Sequence, residues 1–128
     1  MYEITVEKDF AAAHRLKEYD GNCEKLHGHN WRVAVSIKTD CLNKLGLAID
    51  FRKAKQMLKD VLSVFDHTCL NDLKLFENEN PSCERIAKHI FNDVKNRLLQ
   101  MTDMPQLTIS KVTVWESPGS SVTYRETD

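Results

Sequence analysis

The chain opens on a long alternation. Tyr2, Ile4, Val6, Phe10, Ala12 and His14 share even parity, while Glu3, Thr5 and Glu7 take the other. Such alternation predicts a strand with one buried face over residues 2–16, with Lys8-Asp9 as an irregularity or bulge. Successive side chains of a strand point to opposite faces, so this parity turns His14 inward. Trp31, Val33, Val35 and Ile37 then alternate with Arg32, Ala34, Ser36 and Lys38, predicting a second strand. Extended backwards, its apolar parity takes in His29 and His27. Any fold that satisfies both patterns must bring three imidazoles onto an inward surface.

Between the strands, Glu18-Tyr19-Asp20-Gly21-Asn22 reads as a turn-rich loop. It leads into Cys23-Glu24-Lys25-Leu26-His27-Gly28-His29-Asn30. Gly28 has no side chain and leaves room for close approach between the two histidines. The bland reading is three buried, hydrogen-bonded histidines. Three inward histidines, two of them at His-x-His spacing, point instead to a metal site on His14, His27 and His29. Neutral imidazoles suit Zn2+, and three of them leave one coordination position open, as in catalytic sites. An open zinc can bind hydroxyls and lower their pKa. Cys23 admits two roles. It closes the site as a fourth ligand, or it stands beside the metal as a thiolate base or nucleophile.

Asp50 is placed to cap a helix whose apolar stripe is Phe51, Ala54, Met57, Leu58, Val61, Leu62 and Phe65. That helix runs out near Asp66-His67, and a long polar connection follows to Asn80. Asn80 as cap and Pro81 at the first helical position predict a second helix, with Ile86, Ala87, Ile90, Phe91, Val94 and Leu98 buried. Glu84 falls in its first turn, where a carboxylate suits the helix dipole. Pro105 closes the helical region. Residues 106–116 form a strand whose parity shifts between Leu107/Ile109 and Val112/Val114, as a bulge would cause. Ser117-Pro118-Gly119-Ser120 turns the chain into a last strand through Val122 and Tyr124, paired as a hairpin. The order is strand, strand, helix, helix, strand, strand, in one domain spanning 1–128.

The formal net charge of −1 gives no global attraction to nucleic acid or membrane. No apolar run approaches a membrane span, and Met1-Tyr2-Glu3-Ile4 does not begin a signal peptide. Four cysteines without a Cys-x-x-Cys pair suggest free thiols in a reducing cytoplasm.

Two further candidates carry proton chemistry. In Asp66-His67 a carboxylate can hold an imidazole in one tautomer, and the imidazole can exchange a proton with a thiol. Glu116 continues the Val112-Val114 face, where an acid is costly unless paired. A buried carboxylate there can accept two parallel hydrogen bonds from a guanidine-like edge.

Together these residues resemble the 6-pyruvoyl-tetrahydropterin synthase family, and within it the bacterial 6-carboxy-tetrahydropterin synthases of queuosine biosynthesis. The likeness runs through Phe10-Ala11-Ala12-Ala13-His14-Arg15-Leu16, Cys23-x-x-x-His27-Gly28-His29 and Asp50-Phe51. It continues through Asp66-His67-x-x-Leu70-Asn71, Asn80-Pro81-Ser82-Cys83-Glu84 and Trp115-Glu116-Ser117. Family members often carry threonine where Ser82 or Cys83 stands.

The resemblance implies an α+β tunnelling fold, ββααββ, with a four-stranded antiparallel sheet and two helices on one face. It implies homo-oligomeric barrels, trimers stacked to a hexamer, with sites at subunit interfaces. It implies zinc on His14, His27 and His29, and a proton-transfer group of Cys23, Asp66 and His67. Glu116 would anchor the pterin edge, and Ser82, Cys83 and Glu84 would line its pocket. The implied substrate is 7,8-dihydroneopterin triphosphate. The implied activity is that of a lyase releasing acetaldehyde and triphosphate. The short Cys23-to-His27 spacer resembles the carboxy-pterin type. Alternatives are a pyruvoyl synthase, which stops after triphosphate loss, and a non-catalytic zinc-stabilised pterin-binding module. Arg15, Lys17, Lys25 and Arg52 are candidate triphosphate partners, each equally readable as a solvated charge.

Overall fold

The computed structural model describes residues 1–18, 24–101, 103 and 106–127. Cys23, the turn residues 19–22 and Pro105 therefore lie outside the described residues. Strand β1 spans Tyr2–His14 and β2 spans His27–Thr39. Helix α1 (Phe51–Leu62) follows, then a two-residue strand β3 (Thr68–Cys69) and two short 3-10 turns, Leu70–Asp72 and Lys74–Phe76. Helix α2 (Cys83–Leu99) and the hairpin of β4 (Thr108–Ser117) and β5 (Ser120–Tyr124) complete the order.

Among the described residues the strands form one sheet in the order β3-β1-β2-β4-β5. The four long strands are antiparallel, as expected. The fifth, β3, is an addition: it pairs parallel to β1 only at Ala12 and Ala13. It comes from the connection after α1, whose polar composition hides so short a pairing.

The β1–β2 ladder is unbroken from Tyr2↔Thr39 to His14↔His27, so the expected irregularity at Lys8-Asp9 is absent. Lys8 keeps the inward parity and is half-buried. A long side chain can do this by laying its methylenes along apolar surface. The parity shift in β4 is real. Ile37 faces Ile109 while Ser36 faces Lys111, which leaves Ser110 as the extra residue of a bulge.

Asp50 caps α1 as expected, its Oδ1 accepting from Arg52 N–H at 2.8 Å. The stripe begins at Ala54, because Phe51 is 57% exposed. The start of α2 differs from expectation. Ser82 is the cap, accepting from Arg85 N–H, and Cys83 is the first helical residue. Asn80 is left free to bond elsewhere.

One apolar core lies between the helices and the inward sheet face. Phe10, Trp31, Val33, Val35, Val112 and Val114 meet Leu58, Val61, Ile86, Ile90 and Val94 there. Among the described residues, no helix is long and apolar enough to cross a membrane.

Leu58 is fully buried and Phe51 is not. Leu58→Ala should lower the unfolding free energy by about 2–5 kcal/mol. Phe51→Ala should change it by about 0.5 kcal/mol or less. Urea titration of both variants checks the contrast.

Candidate metal and pterin site

Three backbone placements converge at one end of the sheet. His14 ends β1, and His27 and His29 begin β2. The pairings His14↔His27 and Ala12↔His29 put all three imidazoles on the helix-facing side. Their ring centroids lie 4.8–5.3 Å apart. Trp31 closes the floor beneath His14 and His29, its indole N–H donating to Ala12 O at 3.1 Å.

Glu116 joins them. The hairpin register shifts between Trp115 and Ser117, which leaves Glu116 as the unpaired residue of a second bulge. Bulges commonly re-aim a side chain beside a site. Glu116 Oε1 stands 2.9 Å from His29 Nε2 and 3.7 Å from His14 Nε2, without hydrogen-bond geometry to either. Ligand atoms of His14, His27, His29 and Glu116 all lie within 4.8 Å of one another.

The donor set fits a metal. His14 Nδ1 contacts Pro81 O at 2.9 Å, and His27 Nδ1 contacts Lys25 O at 2.8 Å. A carbonyl oxygen can only accept, so both Nδ1 atoms carry a proton, and in the neutral ring each Nε2 presents its lone pair. The Nε2 atoms of His14 and His29 are buried without a hydrogen-bond partner. Orphaned buried nitrogens are uncommon, and a cation would satisfy both. Burial holds the His29 imidazole below its ordinary pKa. Glu116 opposes that shift, and His14 and His27 add to it. That direction favours the neutral imidazole, the form a ligand must take.

The α2 N-terminus borders the cluster. Pro81 supplies the carbonyl to His14, and Ser82 spends its hydroxyl on the cap. The Cys83 thiol is buried and donates to Val114 O at 3.3 Å. Burial, Glu116 and Glu84 push it up to about 11. Glu84 is exposed in the first turn.

Asp66-His67 lies on the other side of the sheet. His67 lines a shallow depression of about 410 Å³ with Ala11, Ala12, Ala13, Gly28, His29, Asn30 and Thr68. Four of them, Ala11, Ala13, Gly28 and Asn30, have the parity opposite to His14, His27 and His29. His67 has φ +60°, rare for a residue with a side chain. Its N–H donates to Ala11 O, and Asp66 Oδ1 accepts from Ala11 N–H at 2.9 Å. The same oxygen lies 3.0 Å from His67 Nδ1. The Ala11 N–H and then the His67 contacts hold the Asp66 carboxyl below the usual carboxylate range. Arg52, a candidate triphosphate partner, is engaged by Asp50 at 3.3 Å.

The sequence also matches the profile of the 6-pyruvoyl tetrahydropterin synthase family over residues 3–127. The chain belongs to this family. A 6-carboxy-5,6,7,8-tetrahydropterin synthase of Haemophilus influenzae is 32% identical over 98% of this chain and all of its own. The enzyme of that name from Bacillus subtilis is 31% identical over 97% of this chain and 85% of its own. The 6-pyruvoyl tetrahydropterin synthase structure from Caenorhabditis elegans superposes with a TM-score of 0.77. It has 26% identity and covers 99% of this chain and 98% of that one. The Plasmodium vivax enzyme shares the fold at a TM-score of 0.78. The tunnelling fold expected from the sequence is thus the fold observed.

Cys83 gives a test of the site's electrostatics. Its folded pKa is raised above the ordinary thiol value, so its contribution to stability is fully present below about pH 8.5. That contribution is lost as pH rises through about 11. At pH 8, iodoacetamide should label exposed Cys41 and leave Cys83 unmodified, as read by peptide mass spectrometry.

Proposed function

We propose that this protein is a zinc-dependent 6-carboxy-5,6,7,8-tetrahydropterin synthase. It converts 7,8-dihydroneopterin triphosphate to the 6-carboxy pterin with release of acetaldehyde and triphosphate. The observation that carries this reading is the convergence of three imidazoles beside Glu116, two of them with buried, unpartnered Nε2 atoms. The two curated relatives described above, which carry that enzyme name, favour the carboxy product over the pyruvoyl one.

His14, His27 and His29 would hold the zinc, which when bound polarises the substrate's side-chain hydroxyls as a Lewis acid. Glu116 accepts the two N–H groups of the amino-pyrimidinone edge as a paired contact. The first turn of α2, Ser82 to Glu84, lines the same pocket. Cys83 does so through its main chain, because its thiol is committed to Val114 O. Cys23 acts as the thiolate that takes the side-chain proton. Asp66 fixes His67 through Nδ1, leaving Nε2 to return protons elsewhere in the reaction.

The reverse-face position of His67 supports a shared site, in which Asp66 and His67 of one subunit serve the metal cluster of its neighbour. Edge geometry agrees. From Tyr2 to Phe10, β1 has no strand on its outer side among the described residues, and β5 has a free edge of its own. Such edges pair with another chain unless protected. Joining them would close trimeric barrels that stack to hexamers of this single-domain chain, acting in the cytoplasm.

Incubation of the zinc-loaded protein with the triphosphate substrate should yield acetaldehyde in step with product, and none after chelation. A pyruvoyl pterin without acetaldehyde would assign the pyruvoyl activity instead. Tight zinc binding with no turnover, together with zinc loss in Cys23→Ala, would favour the non-catalytic module. For site sharing, His67→Ala and His29→Ala variants mixed under subunit exchange should recover part of the wild-type rate. No recovery after confirmed exchange places both residues in one chain's site.

A further inference from the structure

The metal cluster is tied to the rest of the protein by a zipper that no strand provides. β3 pairs with β1 only at Ala12 and Ala13. Beyond it the same edge of β1 continues to be hydrogen-bonded, by side chains. Asn71 accepts from Arg15 N–H at 2.9 Å and donates to Arg15 O at 2.9 Å. Asn80 accepts from Lys17 N–H at 2.8 Å and donates to Lys17 O at 3.0 Å.

In an extended chain the N–H and C=O of one residue point to the same edge, and the next residue's point to the opposite edge. A carboxamide offers one acceptor and one donor side by side, so it can pair with both groups of one residue. Arg15 and Lys17 therefore face the two asparagines. Leu16, between them, faces the other way and is also paired twice. Its N–H donates to Glu24 Oε1 at 2.9 Å, and Glu24 N–H donates to its carbonyl at 3.0 Å.

Packing does not hold this segment, since Arg15 and Lys17 are exposed and Leu16 is only half-buried. What the bonds fix is the position of two carbonyl groups. Asn80 precedes Pro81, whose oxygen accepts from His14 Nδ1. Glu24 precedes Lys25, whose oxygen accepts from His27 Nδ1. Asn80 and Glu24 thus each sit one residue from the carbonyl that sets an imidazole's tautomer and direction, while Asn71 holds Arg15, the residue after His14.

We infer that Asn80 and Glu24 are positioning residues for the metal centre, acting on His14 and His27 through the Pro81 and Lys25 carbonyls, and that Asn71 supports them by holding Arg15, the residue after His14. The inference rests on the proposed metal site, and its test needs no substrate. Groups that orient a metal-bound histidine typically affect metal affinity by about 10- to 100-fold when removed.

The experiment titrates metal-free wild type, Asn71→Ala, Asn80→Ala, Glu24→Ala and Glu24→Gln with Zn2+ against a chelating dye. It records the visible spectrum of each Co2+-loaded protein. Amide exchange at Arg15, Leu16, Lys17 and the interior of β1 is followed in parallel. The alanine variants should bind Zn2+ about tenfold or more weakly, with altered cobalt bands. They should show faster exchange at Arg15, Leu16 or Lys17 and unchanged exchange at Val6 and Phe10. Glu24→Gln keeps the acceptor for Leu16 N–H and should stay near wild type. Unchanged affinity and cobalt bands alongside faster local exchange would overturn the inference, since the clamps would then be merely structural. If an asparagine variant does not fold, Glu24→Ala against Glu24→Gln decides the question from the other edge. A wild type that binds metal but does not turn over the pterin triphosphate refutes the proposed function and leaves this result intact.

Discussion

Register between β1 and β2 is the constraint on which the site depends. His14 faces His27 and Ala12 faces His29 in a ladder with no interruption. Side chains in a strand alternate with a period of two, so a slip of one residue would send the histidines of one strand to the opposite face. The apolar half of the same pattern prevents the slip. Phe10, Trp31, Val33 and Val35 are all buried on the imidazole side. Core burial and metal-site assembly therefore select the same register, and the energy of the first enforces the second.

The site also draws on elements distant in sequence. The α2 N-terminus delivers the Pro81 carbonyl to His14, and β4 delivers Glu116 to His29. Both reach the cluster from its helix-facing side, where the core already fixes them. Asp66 and His67 are held against the outer edge of β1 through Ala11. Asp66 and His67, proposed to transfer protons, face a different surface, where the His67 side chain is 82% exposed. A monomer thus carries the two halves of its proposed chemistry back to back.

How much of this was legible in the residues follows from the range of the forces involved. Parity along β1 and β2 is local, and it placed His14, His27 and His29 on one face correctly. The Asp50 cap and the bulge in β4 were legible for the same reason. The start of α2 was misjudged by two residues because Asn80 and Ser82 both make good caps, and only the distant Lys17 backbone decides between them. Lys8-Asp9 looked like a defect because a lysine broke the apolar run, yet the ladder absorbs it. β3 has two residues and no pattern of its own. The reverse-face position of His67 depends on a left-handed backbone that no sequence spacing announces. The burial of the Cys83 thiol against Val114 was equally non-local.

The extra residue at Ser110 has a consequence for how this chain tolerates change. Leu107 and Val112 lie on either side of it with opposite parities, and both are buried. The bulge is what lets Leu107 and Ile109 share the inward face with Val112, Val114 and Glu116, although an odd step of three separates Ile109 from Val112. The strand carries one residue more than its partner β2, and the bulge absorbs it. Deleting Ser110 would leave Ile109, Lys111 and Val112 in regular alternation opposite Ile37, Ser36 and Val35. A one-codon loss at this half-buried serine would therefore straighten the strand and keep every inward residue, the acid included, on its own face.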